Sequence, residues 1–132
     1  MKIFLDSNFL IYMNTMINEE RGALDEFFRN LLKESLFTNM LVVDETLYVS
    51  KRKFELPYDV TLNFLRKIMI PYTEIISIEE EDMKVTEKYL LTYDLKPSDA
   101  IHLATMEKAG VNHIVTEDED FDKVKEVKRL WL

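Results

Sequence analysis

Cysteine is absent from this chain, which rules out both disulfide staples and thiolate metal sites. A reducing cytoplasm is the expected setting, and any metal has to be held by oxygen or imidazole. Imidazole is itself scarce, because His102 and His113 are the only histidines. Glutamine is missing too, and two glycines and three prolines leave little material for linkers; no repeat or low-complexity tract occurs. No apolar run approaches the length of a membrane span. The N-terminal MKIFLDSNFLIYM is interrupted by Asp6, Ser7 and Asn8, and no small-residue cleavage site follows, so it is expected to belong to the fold and not to a signal peptide or anchor. Positive charge is the last shortage: 17 Lys and Arg against 25 Asp and Glu leave a formal charge of −8. That balance argues against a general nucleic-acid coat protein, because phosphate binding rests on lysine and arginine. An acidic nuclease remains open if metal ions offset the local charge.

What is present is one core's worth of apolar residues. At 132 residues and 47% hydrophobic content, residues 1–132 read as a single domain that buries roughly two-thirds of its unfolded surface. KIFLD at 2–6 is a short apolar run ending in an acid, as in a buried parallel strand, with a helical turn over 9–14. Between Glu19 and Leu36, Leu24, Phe27, Phe28, Leu31 and Leu32 recur at helical spacing. MLVVD at 40–44 reads as the second strand, followed by a helix that Asp44 caps, and Pro57 opens another helix that Pro71 ends. TEIISI at 73–78 is the third strand and residues 79–91 a helix with acids in its first turn. Pro97 starts a further helix that Gly110 closes, HIVT at 113–116 is the fourth strand, and VKRLWL supplies a short fifth. Alternating strands and helices imply an α/β protein, a three-layer α/β/α sandwich around a parallel sheet of four to five strands. Its site crevice should lie at the carboxyl ends of the strands.

Four acids fall where that architecture gathers them. Asp6 ends the first strand, Glu45 lies just past the second, Asp99 sits in the first turn of the Pro97 helix, and Asp118 follows the fourth strand. Each alone has an ordinary reading as a cap or a partner of a helix dipole. Crowded together, unpaired carboxylates repel, and a divalent cation removes that cost. An all-oxygen set suits Mg²⁺ or Mn²⁺, whereas zinc would recruit imidazole or thiolate. His102, three residues after Asp99, reads as a packed helix histidine or as a partner behind the ligands.

FLDSNFLIY, the acid Glu45, PSDAIHLA at 97–104 and IVTEDEDF at 114–121 resemble, in order and over nearly the whole chain, the four acidic motifs of the PIN-domain family, especially its small VapC-type ribonuclease toxins. The resemblance implies that Asp6, Glu45, Asp99 and Asp118 hold one or two Mg²⁺ or Mn²⁺ ions. It also implies that Asn8 and Thr116 orient these acids and that Asp120 is an additional ligand. Asp44 competes with Glu45 for the second motif; Glu45 is preferred because Asp44 reads as the N-cap. The implied reaction is metal-dependent endonucleolytic hydrolysis of single-stranded RNA. A toxin of this kind would have an antitoxin that sends a basic or aromatic side chain into the crevice, and would dimerise through exposed apolar helix surface. A housekeeping RNA-processing nuclease and a non-catalytic interaction protein are the alternatives.

Two further expectations concern RNA. Arg52, seven residues after Glu45 and flanked by Lys51 and Lys53, is a candidate phosphate contact or a partner of the helix dipole. Tyr48 is expected to pack in the core, with base stacking as the other role. The segment VTEDEDFDKV carries five carboxylates in six positions. A calcium loop is excluded there, because Lys123 stands at its glycine and Arg129 at its glutamate. An aspartyl phosphotransfer site at Asp6 is disfavoured, because Ser7, Asn8 and Phe9 supply no second acid. Asp118, placed just after the strand with Thr116 behind it, is assigned to metal, Phe121 to the core, and Glu117, Glu119 and Asp122 to solvent.

Overall fold

The apolar run after Met1 becomes the central strand of the sheet. In the computed structural model, which describes residues 1–132, Lys2–Leu5 (β1) has three consecutive buried side chains, as expected for a strand covered on both faces. Helices Ser7–Thr15 (α1) and Arg21–Leu31 (α2) lead to Ser35–Asn39 (β2), and Met40–Phe54 (α3) and Tyr58–Phe64 (α4) to Thr73–Ile76 (β3). Helices Asp82–Thr92 (α5) and Pro97–Ala109 (α6) then precede His113–Val115 (β4) and Lys128–Leu130 (β5). The five strands are all parallel, in the order β3-β2-β1-β4-β5.

That order fixes the layers. From β1 the chain moves outward through β2 to β3, then returns across the sheet to β4 on the far side of β1. With right-handed crossovers the first two connections lie over one face and the return connection over the other. Helices α1 to α4 accordingly form one layer and the α5–α6 pair the opposite one. The strand order reverses between β1 and β4, and the crevice at that switch point opens at their carboxyl ends.

One sequence expectation is corrected. MLVVD is the first turn of α3, and the second strand is the preceding SLFTN. A short apolar run does not distinguish a buried strand from a buried helical turn, and Val42 and Val43 are buried as helix residues. The discriminating residue is Asn39, whose side chain accepts from the Val42 amide at 3.0 Å and so caps α3. Asp44 is not a cap; it is exposed in the second turn, next to Glu45. The other expected elements form within a few residues of their sequence limits. Pro97 occupies the first turn of α6, and Gly110 at φ 70° ends it in the left-handed conformation that glycine adopts without strain. After α4 the helix widens into a π turn over Leu65–Met69 before Pro71. No helix is long and apolar enough to cross a membrane.

Candidate metal centre

The switch point is built from the ends of β1 and β4. Asp6 follows β1 directly, and its amide donates to Val115 O at 3.1 Å. Its Oδ1 caps α1 by accepting the Ser7 amide at 2.8 Å, and its Oδ2 accepts the Thr116 hydroxyl at 2.8 Å. Thr116 is fully buried, and its oxygen also accepts from Asn8 Nδ2 at 2.8 Å and from the Asp118 amide at 3.1 Å, which uses its whole capacity. Asn8 in turn accepts the Glu117 amide through Oδ1 at 3.1 Å. Asn8 and Thr116 thus clamp the loop after β4 to the start of α1 and fix the Asp6 carboxylate between them. Phe121, with no exposed surface, anchors the far side of that loop in the core.

Glu45 reaches the same corner from α3. His102 Nε2 lies 3.0 Å from Glu45 Oε1 and 3.8 Å from Asp6 Oδ1, and the Ser7 hydroxyl is 3.4 Å from Glu45 Oε2. Asp44, one residue earlier, faces away and lines a groove with Leu47, Tyr48, Tyr58 and Leu62.

Asp99 is the uncompensated member. It is 6% exposed, and its Oδ2 is buried without a hydrogen-bond partner. Burial, followed by the charge of Asp6 and, more weakly, that of Asp118, pushes its pKa up to about 7 against a smaller opposing effect of His102. Burial likewise raises Asp6, and Glu45 adds to the rise, while His102, Thr116 and Ser7 pull it down. Asp118 is half-buried, and its Oδ1 caps the 3₁₀ turn over Glu119–Lys123 by accepting the Asp120 amide at 2.9 Å. Asp120 itself is exposed.

Asp6, Glu45, Asp99 and Asp118 therefore border one corner. No three acid or imidazole groups there converge on a common ion position; Glu45 contacts His102, and Asp118 caps its own loop. The donor chemistry nevertheless fits a hard divalent cation: all the free donors are carboxylate oxygens, and one buried oxygen has no other partner. Of the remaining expected residues, Arg52 is exposed in the last turn of α3 with Lys51 and Lys53, where positive charge meets the carboxyl end of the helix. Tyr48 is 55% exposed, so its expected place in the core is corrected. Its ring projects from α3 beside Tyr58 and Leu62 and is left to solvent.

Sequence reasoning missed Asn39 and Ser7. Asn39 is fully buried and touches His102 Nδ1 at 3.1 Å, and its signal was a capping residue just ahead of an apolar run. Ser7 contributes through its position beside Asp6, for which no sequence pattern argues.

The PIN domain family profile matches residues 3–127. No curated protein sequence matches. Among solved structures, the fold is similar to that of VapC20 from Mycobacterium tuberculosis, a Sarcin-Ricin loop cleaving toxin, with a TM-score of 0.75 at 16% identity over 93% of this chain and 95% of that one. It is similar to VapBC2 from Rickettsia felis bound to a promoter DNA fragment, with a TM-score of 0.76 at 17% identity over 99% and 98%. FitAcB from Neisseria gonorrhoeae gives 0.73 at 16% identity over 97% and 96%. With nearly its whole length matched to one profile, the chain belongs to the PIN-domain family, a family of nucleases.

Proposed function

We propose that this protein is a metal-dependent endoribonuclease, one domain spanning residues 1–132, and that it is the toxin of a toxin–antitoxin pair. PIN nucleases use divalent metal ions, and Mg²⁺ or Mn²⁺ is the choice here because the donors are oxygen only. The observation that carries this reading is Asp99: a buried, unpartnered carboxylate oxygen beside Asp6 and Asp118 is costly to keep unless a cation balances it. Asp6, Glu45, Asp99 and Asp118 are the proposed ligands, with Asp120 reachable from the same loop. A bound divalent ion supplies Lewis acidity and an activated water for phosphodiester hydrolysis.

The chain's own residues prepare that chemistry. Thr116 and Asn8 hold Asp6 in one orientation, so that ligand loses little freedom when it binds. Burial of Asp99 and Asp6 keeps water from screening their charge, which strengthens their attraction for a cation. Single-stranded RNA fits the open carboxyl edge of the sheet, and Arg52 is a proposed phosphate contact. Fully ionised, the four acids carry about −4 together, so phosphate is repelled until metal charge offsets them.

The toxin assignment rests on the company of the fold. Structures similar to it include toxin–antitoxin complexes from Klebsiella pneumoniae and, bound to DNA, from Salmonella typhimurium. We propose a matching antitoxin whose basic or aromatic side chain enters the acidic corner, a cytoplasmic setting, and a homodimer formed through exposed apolar helix surface such as Met83 and Leu91 of α5.

The test is cleavage of single-stranded and structured RNAs by purified protein with Mg²⁺, Mn²⁺ or chelator, beside Asp6→Asn and Asp99→Asn. Metal-dependent cutting that both substitutions abolish is expected. Metal-independent cleavage, or full activity in both variants, would sink the site. No cleavage from a preparation shown by mass spectrometry to lack an antitoxin would favour a non-catalytic interaction protein.

A further inference from the structure

His102 has no exposed surface, and its ring packs against Phe4 at 5.4 Å between centroids with a 43° tilt. Its two nitrogens meet different partners. Nδ1 lies 3.1 Å from Nδ2 of Asn39, and Nε2 lies 3.0 Å from Oε1 of Glu45.

The proton on this ring is located by its neighbours. Asn39 Oδ1 is committed to the Val42 amide as the cap of α3, so Nδ2 is the atom that faces the ring. Thr105 gives an independent check. Its hydroxyl proton goes to the His102 carbonyl at 2.8 Å, so toward Asn39 Nδ2 at 3.1 Å it can only accept. Nδ2 is therefore a donor in both contacts, Nδ1 must offer its lone pair, and the ring hydrogen sits on Nε2, aimed at Glu45.

We infer that His102 is a positioning residue, locked by Asn39 in the Nε2–H tautomer, which holds the Glu45 carboxylate by one oxygen and keeps an imidazole lone pair out of the metal corner. The inference deepens the nuclease reading above and rests on it for the role of Glu45. Its physical content is twofold. Glu45 stands in the second turn of α3, and the residue that caps the same helix determines, through the imidazole, where that carboxylate points. The corner is also left with oxygen donors alone, the set that suits Mg²⁺ or Mn²⁺ over zinc. Hydrogen-bonded partners behind a ligating carboxylate are typically worth about 10-fold to 100-fold in metal affinity.

The tautomer is read directly by long-range proton–nitrogen correlation NMR on metal-free protein, in which only His102 and His113 give signals. A protonated Nε2 with bare Nδ1 is expected, and an Nδ1–H ring or an imidazolium would overturn the inference. Mn²⁺ titration by calorimetry supplies the second arm. His102→Gln, which can still present an N–H to Glu45, should bind close to the wild-type value, whereas His102→Leu should lose about 10-fold to 100-fold with its fold intact by circular dichroism. Equal binding by both variants refutes the positioning role. Asn39→Ser keeps a competent cap but replaces the amide N–H that faces Nδ1 with a shorter hydroxyl, and should release the ring into mixed tautomers and weaken Mn²⁺ binding; an unchanged single tautomer counts against the lock. The two readings fail differently: wild-type protein with the stated tautomer but no Mn²⁺ uptake sinks the metal site and the role of His102 with it, whereas the wrong tautomer with intact uptake removes this inference alone.

Discussion

Two aspartates expose almost equally little surface, in the first turns of neighbouring helices, and differ in almost everything else. Asp82 at the start of α5 is 5% exposed and Asp99 in α6 is 6% exposed. The carboxylate of Asp82 accepts from Lys108 Nζ at 2.8 Å and from the Glu79 amide at 2.8 Å. Burial raises it, but the ammonium and the amide outweigh burial and hold its pKa below the usual carboxylate value. Lys108 belongs to the last turn of α6, so this ion pair ties the two helices of one layer together. The first turn of the same α6 carries Asp99, whose Oδ2 has no hydrogen-bond partner and on which Lys96 and His102 act only weakly against burial. Low exposure therefore does not distinguish the two; the partner does, since an ammonium and an amide complete Asp82 whereas one oxygen of Asp99 has no hydrogen-bond partner, and the proposed metal role of Asp99 rests on that contrast.

The largest effect expected from that contrast is on activity. Asp99→Asn should lower metal-dependent RNA cleavage by at least about 100-fold, because it removes a ligand while keeping its shape. The same substitution should raise the melting temperature of the metal-free protein at pH 8, since it deletes a buried charge that has no partner. A variant that lost both activity and metal-free stability would make Asp99 a structural acid like Asp82 and break the comparison.

Next in size is a pH effect whose sign is fixed by the raised pKa. Folded protein keeps the Asp99 proton up to about pH 7, while the unfolded chain releases it near the ordinary value of 3.8. Stability of the metal-free protein should fall as pH rises from about 4 to about 7 and stay level above. At 1.36 kcal/mol per pH unit the loss is on the order of 4 kcal/mol. Asp82 works in the opposite sense, adding stability above the usual carboxylate range that is lost on acidification. Because burial raises Asp6 in the same sense, the Asp99 contribution is the difference between wild type and Asp99→Asn in urea midpoints in chelator between pH 5 and pH 8, and saturating Mn²⁺ should abolish the slope. A stability that rises over this interval would contradict the assignment.

Asp82→Asn should do the reverse of Asp99→Asn. It leaves Lys108 without its buried partner and should cost about 1–3 kcal/mol, read from the urea midpoint, with cleavage unchanged.

Asp6, Asp99 and Asp118 could be picked out in the sequence because each sits at a punctuation mark, after a strand or within two residues of a proline; Glu45 was picked out as following a strand, whereas it stands in the second turn of α3. Burial of Phe121 was legible too, as the one apolar side chain in a charged loop. What could not be read was the end of β2. SLFTN and MLVVD are adjacent apolar stretches, and only the capping bond of Asn39 divides strand from helix. The same error hid the link from Asn39 to His102, since a residue expected in a connection is not looked for beneath a metal site. The exposure of Tyr48 was missed for a related reason: an aromatic on an amphipathic helix is expected inward until the neighbouring helix is known to leave its face open.

The smallest effect is expected where the sequence was most suggestive. VTEDEDFDKV ends its acidic run in Asp122, which is paired with Arg129 through two bonds of 2.9 and 3.1 Å. The pair is bidentate, yet the Asp122 carboxylate lies toward solvent, where screening and side-chain entropy cancel most of the attraction. Asp122→Asn should leave the melting temperature within measurement scatter and RNA cleavage unaltered. The alternative outcome is informative, because Arg129 also donates to the Thr116 carbonyl at 3.3 Å. If loss of Asp122 lowered cleavage without lowering stability, Arg129 would be acting on the loop that carries Asp118. The boundary of the site would then lie outside the buried acids, and partner identity alone would no longer separate structure from function.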